Sequence, residues 1–137
     1  MLVRRYAAVV FLLLLSACAT APPWERLNTR VLECRPFQVI TFRTSYETSA
    51  IAGHVYAQGH DDAPLSGVRI VLRELGRPDI VTETATAADG SFALAAQADG
   101  WYQLETCREG FDSVVVPVRV VRRARVTDIP LYLPLSA

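Results

Sequence analysis

The chain contains no lysine: all fourteen basic residues are arginine, and they face fourteen acids. A formal net charge of zero gives no electrostatic footprint for nucleic acid. Histidine is almost as scarce, with only His54 and His60. A zinc site needs three or four converging ligands, and His60-Asp61-Asp62 reads as an acidic solvated turn, so no metal site is expected. The chain has neither a C-x-x-C pair nor a G-x-S-x-G elbow, which removes two common signatures of redox and hydrolase chemistry. It also lacks an apolar run long enough to cross a bilayer, since Tyr6 to Leu15 is about half the required length. Internal repeats and low-complexity tracts are absent as well.

What is present begins at the N-terminus. Met1-Leu2-Val3-Arg4-Arg5 places positive charge ahead of the apolar run, and Leu15-Ser16-Ala17-Cys18 follows it. Charge, a short apolar segment and small residues are the order of a secretory signal peptide. The cysteine directly after the small residues resembles the lipobox of bacterial lipoproteins. In that family a diacylglycerol is attached to the cysteine, which becomes residue one after cleavage. The resemblance implies a lipoprotein signal peptide at 1–17 and lipidation of Cys18 with acyl chains such as palmitate. It also implies Ala19 as the sorting residue, hence the outer membrane, facing the periplasm or the outside. Each buried methylene adds roughly 0.8 kcal/mol to such an anchor, so the membrane is the first expected partner. The competing reading is a plain secreted protein with an incidental cysteine.

Removing residues 1–17 leaves about 120 residues, enough for one domain. Residues 18–36 read as the lipidated cysteine and a tether. Pro22-Pro23 suits a first helical turn, and Trp24, Leu27, Val31 and Cys34 recur at helical spacing until Arg35-Pro36. A short helix is therefore expected there. With Cys18 occupied, Cys34 and Cys107 remain. Beyond the inner membrane two thiols that meet are oxidised, so a Cys34–Cys107 disulfide is predicted.

From residue 37 to 137 the hydrophobic period changes to that of strands. Phe37 to Arg43 is β-branched and aromatic. Ile51, Gly53 and Val55 alternate with Ala52, His54 and Tyr56; Val68, Ile70 and Leu72 alternate with arginines and valine. Ile80 to Thr86 is threonine-rich, and Asp89-Gly90 is a tight-turn signal. Phe92 with Leu94, Tyr102 to Thr106, Val114 to Val120 and Val126 to Leu133 complete the series. Seven or eight strands with frequent turns predict an all-β, immunoglobulin-like sandwich.

An ordered set of motifs over about residues 50–133 resembles the carboxypeptidase regulatory-like domain, a transthyretin-like sandwich. The set is Gly53-His54-Val55, then Pro64-Leu65-Ser66-Gly67-Val68-Arg69-Ile70, then Thr86-Ala87-Ala88-Asp89-Gly90-Ser91-Phe92-Ala93-Leu94. Gly100-Trp101-Tyr102-Gln103-Leu104 and Gly110-Phe111 close it. Ala87 departs from the acid that many members carry. The resemblance implies a binding or spacing module that is not an enzyme and needs no cofactor.

Function is the less legible part. The leading expectation is a non-enzymatic envelope lipoprotein whose sandwich binds or scaffolds a periplasmic or surface partner, a protein or a glycan. The alternative is a glycan- or small-molecule-binding lipoprotein, with Trp101, Tyr56 and His54 as candidate ligand contacts. A third reading is a transthyretin-related hydroxyisourate hydrolase using His54. The chain end Tyr132-Leu133-Pro134-Leu135-Ser136-Ala137 departs from the Tyr-Arg-Gly-Ser motif that completes such sites. The arginines 119, 122, 123 and 125 form the one local basic patch. It reads either as a solvated strand end or as a contact for phosphate or anionic glycolipid.

Overall fold

The computed structural model describes residues 21–30, 32, 34 and 38–136. The expected signal peptide and Cys18 lie outside the described residues. Nine strands appear among those described: β1 (Val39–Thr41), β2 (Tyr46–Thr48), β3 (Ala52–Ala57), β4 (Arg69–Glu74), β5 (Ile80–Ala85), β6 (Ser91–Ala93), β7 (Gly100–Cys107), β8 (Ser113–Val120) and β9 (Asp128–Leu133). They form two sheets. The larger runs β1-β8-β7-β4-β5, with β2 also on β8, and the smaller runs β6-β3-β9.

Side-chain alternation puts one face of each strand into the space between the sheets. The large sheet contributes Ile70, Leu72, Leu104, Val114, Val116 and Val118, all fully buried. The small sheet answers with Val55, Ile129, Leu131 and Leu133, also fully buried. Strands β3 and β9 pair in parallel, from Ala52 opposite Asp128 to Ala57 opposite Leu133. Gly53 is required at this seam, because a methyl group there would overlap the backbone carbonyl of Ile129. Thr86 ties the entry to β4: its hydroxyl donates to the Leu65 carbonyl (2.6 Å) and accepts from the Val68 N–H (2.9 Å).

The middle of the large sheet's outer face is also buried, which alternation alone does not anticipate. Val71, Arg73, Gln103, Glu105 and Val115 are at most 1 % exposed. The segment ahead of β1 crosses this face. Asn28 is clamped on both sides by the Gln103 amide, which accepts from the Asn28 N–H at 2.8 Å and donates to its carbonyl at 2.9 Å. Cys34 and Cys107 form a disulfide, with Cα atoms 5.5 Å apart. Beneath the segment Arg73 pairs with Glu105 and donates through Nε to the Pro78 carbonyl.

Three sequence expectations change. Of the helix expected over Trp24 to Cys34, the described residues form a single 3-10 turn, Pro23–Arg26, after which Leu27 is extended (φ −61°, ψ 132°). The Gln103 clamp takes the Asn28 backbone groups that a helix would use. Within the stretch read as Phe37 to Arg43, the strand among the described residues is Val39–Thr41, and an unforeseen strand, Tyr46–Thr48, follows it along the same edge of β8. The last strand starts at Asp128 rather than Val126, because Thr127 is held by Thr48 and Glu47.

Candidate functional site

The outer face of the small sheet is built by the residues that the core rejects. Along β3 these are Ala52, His54 and Tyr56; along β9 they are Asp128, Pro130 and Tyr132. Parallel register sets Tyr56 opposite Tyr132 and His54 opposite Pro130, while β6 sets Ser91 on the other side of His54. Three rings therefore follow one another across the sheet. Tyr56 and Tyr132 have centroids 5.2 Å apart and planes 25° apart. His54 and Tyr56 are 6.2 Å and 16° apart. Tyr132 is 40 % exposed, among the large apolar side chains most open to water.

Polar groups sit beside the rings. His54 Nδ1 lies 2.8 Å from Asp128 Oδ1. An ionised carboxylate only accepts, so Nδ1 carries the proton and the neutral ring keeps its lone pair on Nε2. Asp89, in the turn before β6, accepts from the Ser91 N–H (3.0 Å) and from the Ser91 hydroxyl (2.6 Å). Those two hydrogen bonds, and then the nearby His54, hold the Asp89 carboxyl below its ordinary value of 3.8. Ser91 is the hydroxyl nearest His54 in register, and its proton goes to Asp89 rather than to the imidazole.

The three candidate ligand contacts separate. His54 and Tyr56 share this face. Trp101 lies on the outer side of the large sheet, where the Arg119 guanidinium sits 5.8 Å from its ring. Trp101 lines an open cleft of about 360 Å³ with Arg26, Glu74, Arg77 and Asp99. Burial, then the charges of Glu74 and Asp99, push the neighbouring Tyr102 hydroxyl above its ordinary value of 10.0. That hydroxyl donates to the Ala98 carbonyl at 2.6 Å. Trp101 and Tyr56 therefore cannot touch one ligand. The sequence reading missed Asp128, Tyr132 and the Asp89–Ser91 pair. The alternation Asp128-Ile129-Pro130-Leu131-Tyr132-Leu133 marks the outward residues of β9, but nothing local says that β9 lies beside β3.

Among the described residues no three ligating side chains converge on a metal position. No described helix is long and apolar enough to cross a membrane.

No family model matches the chain, and no curated protein matches it. Among solved structures, the 5-hydroxyisourate hydrolase of Klebsiella pneumoniae aligns with a TM-score of 0.50. The alignment covers 67 % of this chain and 90 % of that one, at 15 % identity. Likeness at that identity defines the fold: a mostly-β, transthyretin-like sandwich.

Proposed function

We propose that this protein is a non-enzymatic, lipid-anchored module of the bacterial envelope that binds a partner through the outer face of its small sheet. The Tyr56–Tyr132 ring pair carries the reading. Two large rings side by side on a rigid sheet, partly open to water, form a ready contact surface that needs little further ordering. His54, Asp128 and Asp89 add hydrogen-bonding groups at its margin. The hydrolase reading, in which His54 would activate a water, is weaker, because Tyr132-Leu133-Pro134-Leu135 lacks the arginine and glycine of the Tyr-Arg-Gly-Ser motif. A base without its partner groups gives little catalysis.

A glycan is the ligand class this reading favours. Sugar rings offer C–H faces that stack on aromatics, and hydroxyls that pair with carboxylates and imidazole. Lipid modification of Cys18 supplies the tether in this reading, and Cys34–Cys107 fastens the tether to the domain.

The test is photocrosslinking in living cells from position 132 and, separately, from position 101, followed by mass spectrometry. Capture of one recurrent envelope component from 132 and not from 101 is the expected result. Capture from 101 alone would move the site to the Trp101 cleft and overturn the assignment. Glycan binding is then checked by calorimetry, where Tyr132→Ala should remove it and Trp101→Ala should not.

A further inference from the structure

The loop from β8 to β9 holds the arginines that the ligand face leaves unused. We propose that residues 121–127 form a membrane-contact loop, in which Arg122, Arg123 and Arg125 bind phosphates of an anionic phospholipid surface and Val126 seats among the headgroups. The loop's placement beside a bilayer rests on the lipid-anchor reading of Cys18.

The side chains come first. Arg122, Arg123 and Arg125 are exposed. Among the described residues the surface ion pairs involve other arginines, such as Arg119 with Glu47 and Arg69 with Glu83. Val126, at 64 %, is the most exposed large apolar side chain of the described residues. An apolar tip flanked by cations is poorly suited to water alone and well suited to the headgroup layer. Guanidinium groups also fit phosphate as planar forks, which ammonium groups do not.

The backbone shows that the loop is preset. The Arg122 N–H donates to Asp99 Oδ1 (3.0 Å), and Ala124 N–H donates to the Val121 carbonyl (2.9 Å). The Arg125 carbonyl accepts from Ser49, and the Thr127 N–H donates to the Thr48 hydroxyl at 3.0 Å. Three acids border the loop, and each is engaged elsewhere: Asp99 accepts from the Arg122 N–H, Glu47 pairs with Arg119, and Asp128 with His54. Glu74 and Asp79, also at this end, belong to the β4–β5 hairpin.

Position completes the argument. The loop leaves β8 at Val120, which pairs with Gly100 at the start of β7. The Pro23–Arg26 turn is at the same end, since Arg26 shares the cleft with Gly100 and its carbonyl lies close to Gly76. Cys18 precedes Pro22 by four residues, a reach of about 14 Å at most. An anchor on Cys18 therefore holds this end of the sandwich against the bilayer, with the three arginines turned toward it.

The test uses the full lipidated protein in nanodiscs of phosphatidylcholine, alone or mixed with phosphatidylglycerol. Phenylglyoxal labelling of arginines is read by mass spectrometry. Labelling of Arg122, Arg123 and Arg125 should slow about tenfold or more in anionic discs, as three cations near such a surface require. Arg108, at the other end of β7, should label equally in both, and Val126→Asp should restore labelling of the loop. Equal loop labelling in the two lipids, or slowing shared by Arg108, would overturn the proposal. The Cys18 peptide in the same spectra reports acylation separately. If it carries no acyl mass, the anchor reading fails, and the loop is judged by sedimentation with preformed vesicles. Binding to anionic and not neutral vesicles then keeps it; binding to neither discards it.

Discussion

The two outer faces of this sandwich are opposites. The middle of the large sheet's outer face is covered: a disulfide and the Gln103–Asn28 clamp fix the cover, and an Arg73–Glu105 pair is buried within the face. The outer face of the small sheet carries exposed Tyr132, half-buried Tyr56 and His54, and exposed Asp128. Charges buried on the first face are held by their partners, so they serve the fold. Polar and aromatic groups left in water on the second face gain little for stability and are free to meet a ligand. The difference teaches which face to mutate for which purpose.

Breaking the covered face should have the largest effect. Glu105→Ala strips a carboxylate from a buried guanidinium and should cost about 3–5 kcal/mol, read by urea unfolding. A loss under 1 kcal/mol would show that water reaches Arg73 and that the cover is loose. Next comes the disulfide, which joins residues 73 apart in sequence. Removing it with Cys34→Ser and Cys107→Ser should cost about 4 kcal/mol by loop-closure entropy. Hydrogen exchange at the outer face of β7 should rise with it. Unchanged protection there would mean that the clamp alone holds the segment.

The open face should respond in the reverse sense. Replacing Tyr56 and Tyr132 together by alanine should lower stability by only about 1 kcal/mol beyond lost area, the worth of an aromatic pair, while partner capture disappears. A collapse of the fold would place these rings with the structural face and blur the contrast. The smallest effect concerns Asp89. Its carboxyl is lowered in the folded state, so its contribution is complete above the ordinary value of 3.8 and is lost as pH falls through the folded value. Ser91→Ala should move the Asp89 titration upward in NMR, with little change at neutral pH. An unmoved titration would show that Ser91 is not what holds the carboxylate.

Local pattern made much of this legible. Two-residue alternation in β3, β4 and β8 announced strands, and Asp89-Gly90 announced the turn before β6, because side-chain direction and turn geometry are short-range properties. Cys34 and Cys107 pair by counting once the lipobox resemblance sets Cys18 aside and implies an oxidising compartment. Apolar spacing in the segment after Pro22 misled, since Trp24 and Leu27 follow a chain laid across a sheet rather than a helical stripe.

The sequence by itself determined the strand pattern, the turn positions, the cysteine partners and His54 and Tyr56 as outward residues. Only the tertiary structure decided that β9 lies parallel to β3, and so that Asp128, 74 residues from His54, and Tyr132 join His54 and Tyr56. It also decided that Trp101 faces the opposite side and that Arg73 and Glu105 are buried as a pair. Alternation fixes which way a side chain points from its own strand. Which strand lies next to it is set by how two sheets and a covering segment together bury the most apolar surface while pairing every buried charge.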